Sequence, residues 1–216
     1  MVWDWIPRNL GMLGELLGEH VVLALVPVLI GLVLAVPIGW AAAGNRALRT
    51  VLVPAASVLY TIPSLALFIV LPAIIGTRIL DPLNVVVALT IYTVALLVRS
   101  VADALGAVPS LVVAAATAMG YRPGRRFVSV ELPLAVPVLI AGLRVAAVSN
   151  ISLVSVGALI GVGGLGQLFT EGYQRNFPLE IVTGIVLILL LALVVDGMLV
   201  LIGRVSTPWT RAGANA

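Results

Sequence analysis

Three stretches of this chain, Val21 to Gly44, Val51 to Thr77 and Val145 to Thr170, carry no Asp, Glu, Lys, Arg or His. A helix crossing a hydrocarbon core of about 30 Å at about 1.5 Å per residue needs about 20 apolar residues, so each run is long enough to cross. Two more, Pro82 to Val98 and Ile181 to Val195, are shorter but can be extended at their ends. Of the 216 residues 62% are hydrophobic and 10% charged, far from the make-up of soluble domains. The fold class that follows is an all-α membrane protein with about five transmembrane helices. Their approximate spans are Glu19 to Ala43, Val51 to Gly76, Leu83 to Gly106, Pro137 to Ile160 and Leu179 to Gly203. The stretch from Leu132 to Thr170 has room for a hairpin or re-entrant segment, and a sixth crossing there would reverse one end of the topology.

Several classes of activity are excluded at once. Asp4 stands where the basic region of a cleavable leader belongs, and no small-residue cleavage site follows a short apolar core, so the first helix is expected to stay attached. Cysteine is absent, which rules out disulfides and thiolate metal sites. All twelve basic residues are arginine. An ATPase phosphate loop requires Gly-Lys-Ser/Thr, so this chain cannot hydrolyse ATP by that route. The net charge of +3 is spread along the chain without forming a basic stripe, and no nucleic-acid partner is expected. The nine acidic residues are dispersed and His20 is the only histidine, so no catalytic residues and no metal site are expected. His20, at the outer start of the first crossing, reads as a solvated interfacial side chain.

Arginine orients the chain, because cytoplasmic loops carry the excess of basic residues. With the N-terminus outside, Arg46, Arg49, Arg122, Arg125, Arg126, Arg204 and Arg211 lie inside, against Arg8, Arg78 and Arg175 outside. Arg99 and Arg144 fall within crossings, toward their inner ends. This divides the chain into an external amphipathic segment, 1–18, with Trp3 and Trp5 suited to the interface, a membrane domain, 19–203, and a cytoplasmic tail, 204–216. The longest inside connection runs from Ala107 to Val136. Pro109 and Ser110 open it, Leu111 to Gly120 is alanine-rich and helix-prone, and Tyr121 to Gly124 reads as a turn. Arg125 to Glu131 reads as a second helical piece, with Pro133 as a stop before the next crossing.

Within that connection Ala114-Ala115-Ala116, three residues, Gly120, nine residues and then Val130-Glu131-Leu132-Pro133 resemble the signature E-A-A-x3-G-x9-I-x-L-P of ABC importer permeases, the membrane subunits of binding-protein-dependent transporters. Ala114 departs from the pattern by replacing the usual glutamate. The resemblance implies that Ala114, Ala115, Ala116, Gly120, Val130, Leu132 and Pro133 form a coupling element that docks into an ATPase subunit. It implies four kinds of neighbour: ATPase subunits that bind the ATP, a second permease subunit, identical or related, a substrate-binding protein, and the lipid of the cytoplasmic membrane. The chain itself then needs no cofactor. Three stretches are most similar to the osmoprotectant branch: Tyr60 to Leu67, Val130 to Pro137 and Gly157 to Gly166. The implied cargo is glycine betaine, choline, carnitine or proline. Permeases for methionine or phosphonate share the last stretch and remain a rival, and an ATP-independent secondary transporter is a rival of another class. Aromatic residues make up only 6% and sit mainly toward helix ends, so selection of a quaternary ammonium cargo is expected to reside in the binding protein.

The remaining candidates carry two readings each. Gly161, Gly163 and Gly166 spell G-x-G-x-x-G, but no βαβ unit surrounds them, so with Gly164 they read as an external gate or a close helix contact. Thr61, Pro63 and Ser64 mark a kink in the second crossing, beside the translocation path or serving only packing. Ser149, Asn150, Ser152 and Ser155 either line the path or hydrogen-bond between helices. Arg144 and Asp196 lie at comparable depths in their crossings and are expected to pair. Arg99 and Asp103, four residues apart, can meet on one helix face.

Overall fold

The computed structural model describes residues 4–209, and every regular element among them is helical. Trp3, Arg211 and the tail beyond 209 lie outside the described residues. In chain order the helices are α1 (Trp5–Arg8), α2 (Leu10–Gly44), α3 (Arg46–Tyr60), α4 (Ser64–Ile75), α5 (Pro82–Gly106), α6 (Ser110–Ala118), α7 (Pro123–Arg126), α8 (Leu132–Gly157), α9 (Gln167–Gln174) and α10 (Pro178–Ser206). A π-helical turn, Phe127–Glu131, joins α7 to α8, and a 3₁₀ turn, Ala158–Ile160, follows α8. Four stretches are long and apolar enough to cross a membrane: α2, α5, the helical run Pro123–Ile160, and α10. Helices α3 and α4 are long and apolar enough only when taken together, and they are bent by 103° at their junction, as a broken span or a re-entrant loop is.

The first crossing begins earlier than expected. Helix α2 has 35 residues and, at about 1.5 Å each, a length of about 52 Å, well beyond a hydrocarbon core of about 30 Å. It runs unbroken through position 18, so residues 10–18 are its own first turns, and Pro27 and Pro37 do not end it. Because lipid is as apolar as leucine, association inside a membrane rests on close packing and hydrogen bonding, which small residues permit. Gly31 and Gly39 of α2 lie so close to Thr93 and Val101 of α5 that an added Cβ would collide with either, and a Cβ at Gly142 of α8 would stand 2.8 Å from Ser100. Helix α5 is thereby clasped between α2 and α8. Phe68 of α4, Leu89 of α5 and Ile151 of α8 fill the core at the centre of this arrangement. Helix α10 sits outside, presenting Leu189, Leu193, Val194 and Leu201 outward.

Two expectations about helix ends are corrected. The second crossing is not one kinked helix: Pro63 supplies no N–H, disfavours the helical conformation at Ile62, and the chain breaks into α3 and α4. Pro133 does not stop a helix before the fourth crossing. It lies in the first turn of α8, and the helical path continues from the π turn through it, with the Leu132 N–H bonded back to the Phe127 carbonyl.

Candidate functional site

The long connection from Ala107 to Val136 folds into a helical hairpin. Helix α6 ends at Ala118, Gly120 adopts a left-handed conformation with φ of 85°, and the Tyr121 N–H returns to the Ala116 carbonyl at 3.2 Å. That glycine-dependent closure reverses the chain toward α7. Ala114 and Ala115 are exposed on α6 while Ala116 is buried, and Val130, Leu132 and Pro133 are half-buried where the hairpin enters α8. The arm is tied at its root by a side-chain clasp. Arg126 Nε donates to Glu131 Oε1 at 2.5 Å, and Arg126 Nη1 donates to Thr117 Oγ1 at 2.9 Å. Phe127 packs on Trp40 of α2 with ring centroids 4.8 Å apart, and Leu132 joins a core of Val101, Leu105 and Leu139. Sequence reasoning missed this clasp. Residues 126 and 131 are five apart, outside the i+3 and i+4 spacings of an α-helix, and meet because the intervening turn is π-helical.

At the other end of α8 the glycine stretch is tightly packed. Residues 162–166 are all buried, and Gly161 and Gly164 both have positive φ, 77° and 76°. The Gly164 N–H donates to Glu19 Oε2 at 3.0 Å, and the Leu165 N–H donates to His20 Nδ1 at 3.1 Å. His20 Nε2 then donates to the Ile151 carbonyl at 2.9 Å, which assigns the neutral Nε2–H tautomer to the ring. A Cβ at Gly163 would strike the Glu19 carboxylate, and one at Gly166 would lie 2.6 Å from the Ser155 carbonyl. Of the two readings, close helix contact is the one the geometry realises. The expectation for His20 is corrected: it is fully buried, because two backbone groups from the loop and from α8 occupy both ring nitrogens. No local pattern could have revealed partners 131 and 145 residues away.

Between these ends lie the polar residues of the crossings. At the α3–α4 break the Thr61 hydroxyl donates to the Val58 carbonyl at 2.7 Å, and the Tyr92 hydroxyl donates to the Ile62 carbonyl. Thr61 and Pro63 are exposed and Ser64 is half-buried. Asn150 is only 2% exposed and donates to Thr93 Oγ1 at 2.9 Å and the Ala24 carbonyl at 3.4 Å. It binds α8 to α5 and α2 and does not face an opening, whereas Ser152 is exposed and Ser149 and Ser155 are half-buried. Arg144 and Asp196 are brought together in a two-pronged contact, Nε to Oδ1 at 2.6 Å and Nη2 to Oδ2 at 2.7 Å. Arg99 reaches Asp103 at 3.7 Å, but Asp103 is held more closely by Arg49 at 2.7 Å, a partner from α3 that the spacing did not show. Glu180, also unforeseen, is fully buried at the start of α10, with Arg175 at 3.9 Å.

The model of the family described as binding-protein-dependent transport system inner membrane component matches residues 35–205. The chain belongs to this family. It is accordingly a multi-pass inner-membrane protein and a permease subunit of an ABC importer, not an enzyme, and membership implies an ATPase and a binding protein as partners. The chain is 35% identical over 203 residues to the osmoprotectant import permease protein OsmW of Salmonella typhimurium, covering 93% of this chain and 94% of that one. It is 30% identical to the choline transport system permease protein OpuBB of Bacillus subtilis, covering 90% of each. Against the ergothioneine transport permease/ergothioneine binding protein EgtU of Helicobacter pylori it is 38% identical over 165 residues, 76% of this chain but only 29% of that longer protein. In fold it is similar to an inward-facing structure of the MetNI methionine ABC transporter, with a TM-score of 0.83 at 24% identity, covering 93% of this chain and 98% of the other.

Proposed function

We infer that this permease imports an osmoprotectant of the glycine betaine, choline, carnitine or proline type. The observation that carries the cargo is the near full-length similarity to OsmW, supported by the choline permease and by the Thr61-Ile62-Pro63-Ser64 stretch. Two permease subunits, identical or related, face each other around a central path, with a binding protein outside and two ATPase subunits inside. The N-terminus lies outside and the C-terminus in the cytoplasm. In support, Arg46 and Arg49 at the α2–α3 turn, the arginines of the hairpin, and Arg204 near the end of α10 all belong to one end of the bundle by connectivity.

The hairpin is the contact for the ATPase. Its exposed Ala114 and Ala115 permit close approach of a partner backbone, while Leu111, Met119 and Val128 are large apolar side chains left outside the fold. Since Ala114 offers no carboxylate, that contact rests on packing and on exposed Arg122 and Arg125. The Arg126–Glu131–Thr117 clasp and the Phe127–Trp40 contact join the arm to α8 and α2, so movement of the hairpin passes into the crossings. The path runs beside Thr61, Pro63, Ser64, Ser149 and Ser152, and the packed outer loop of Gly161, Gly163, Gly164 and Gly166 holds α8 against α2 at its end. A second cargo reading, ergothioneine, is favoured by the identity to EgtU over three quarters of this chain.

The test is uptake of labelled glycine betaine, choline and ergothioneine, against labelled methionine as the control, by the complex reconstituted in liposomes with its ATPase and binding protein. ATP-dependent accumulation of one of them is expected. Accumulation without ATP, or of methionine alone, sinks the reading.

A further inference from the structure

A cleft of about 620 Å³ opens between α3, α5 and α8, lined by Ser57, Tyr60, Arg99, Ser100 and Asp103 among apolar side chains. That volume falls within the range of small-molecule sites, about 300–1,000 Å³. Ionisable side chains inside crossings face the bundle interior or a water-filled cavity, not lipid, and Arg99 and Asp103 are the only Arg and the only carboxylate of α5.

The two charges are not equivalent. The Asp103 carboxylate is engaged by Arg49 at 2.7 Å, while Arg99 reaches it only at 3.7 Å and remains 65% exposed. A guanidinium has five N–H donors, so Arg99 retains donors for a ligand in the cleft. Tyr60, at the end of α3, lines the same cleft. It stands edge-on to Tyr92, with centroids 5.7 Å apart and planes at 90°, and Tyr92 is itself anchored through its hydroxyl to the Ile62 carbonyl. The break in the second crossing thus sets an aromatic ring and an available guanidinium in one cavity, although they lie on different helices.

A quaternary ammonium is drawn to the face of an aromatic ring, and a carboxylate accepts paired hydrogen bonds from arginine. We propose that this cleft is a cargo-binding site for zwitterions that carry a quaternary ammonium and a carboxylate, with Arg99 holding the carboxylate and Tyr60 the ammonium. The site rests on the osmoprotectant reading and narrows it. Glycine betaine, carnitine and ergothioneine carry both groups. Choline ends in a hydroxyl and leaves Arg99 without its anionic partner.

Equilibrium dialysis of labelled glycine betaine and choline against the purified permease–ATPase complex, without binding protein, isolates this site from the receptor. Saturable betaine binding is expected. Arg99→Gln weakens it by about tenfold, the usual scale for one charge-assisted contact, and leaves choline binding unchanged, which also reports an intact fold. Tyr60→Ala weakens both ligands, and Tyr60→Phe restores both. Equal effects of Arg99→Gln on betaine and choline overturn the proposal, as does absence of saturable betaine binding in a complex that imports betaine when its binding protein is added. Absence of import of every osmoprotectant by that full system overturns the osmoprotectant reading and the site with it.

Discussion

The glycine loop at one end of α8 and the hairpin at the other are both short, glycine-containing connections, yet they are held in opposite ways. The loop is buried, and its backbone donors end on Glu19 and His20 of a distant helix. The hairpin is mostly exposed, closed by its own turn and a clasp among residues within fifteen positions of one another. The loop's polar groups are satisfied within the chain, whereas the hairpin leaves Leu111 and Met119 outside the fold. The difference marks one end as an internal joint and leaves the other as the exposed arm to which the proposed ATPase contact is assigned.

The largest effect should come from breaking the joint. His20→Ala leaves the Leu165 N–H and the Ile151 carbonyl without their partner in a buried place and opens a void, a cost on the order of 3 kcal/mol. A clear fall in the thermal unfolding midpoint of the detergent-solubilised protein is expected, partly recovered in His20→Gln. An unchanged midpoint would show that the loop is not fastened there.

A smaller cost is expected at the hairpin tip. Gly120→Val forces a β-branched residue into a left-handed conformation, costing about 1–2 kcal/mol, in a place where an added Cβ meets nothing. The protein should therefore still fold, while its co-purification with the ATPase drops severalfold. Retention of full ATPase binding would contradict the contrast drawn between the two ends.

The smallest change lies at the hairpin root. Glu131→Gln keeps the shape of the clasp but removes the charge of its buried carboxylate, worth about 1 kcal/mol. ATPase binding should persist, while transport per ATP hydrolysed falls. If ATPase binding is lost and the remaining transport is fully coupled, the clasp shapes the docking surface and does not transmit motion.

Much of this fold was legible in the residues. Ionisable-free runs placed the four unbroken crossings and the bent α3–α4 pair, and spacing around Ala114 to Pro133 placed the hairpin and its family, because hydropathy and local turn chemistry act over a few residues. Depth alone suggested Arg144 and Asp196 as partners, and the structure joins them. The failures share one cause. His20 looked interfacial and Asn150 looked as suited to a path as to packing, since each depends on groups supplied by other helices.

The sequence by itself determined that the chain is a helical membrane permease of a binding-protein-dependent importer, since solvent class, helix length and a turn motif are written locally. Only the tertiary structure decided which polar groups are consumed inside the bundle and which remain free to act. A buried donor must find its acceptor wherever packing brings one, and for Leu165 that acceptor is His20, 145 residues away.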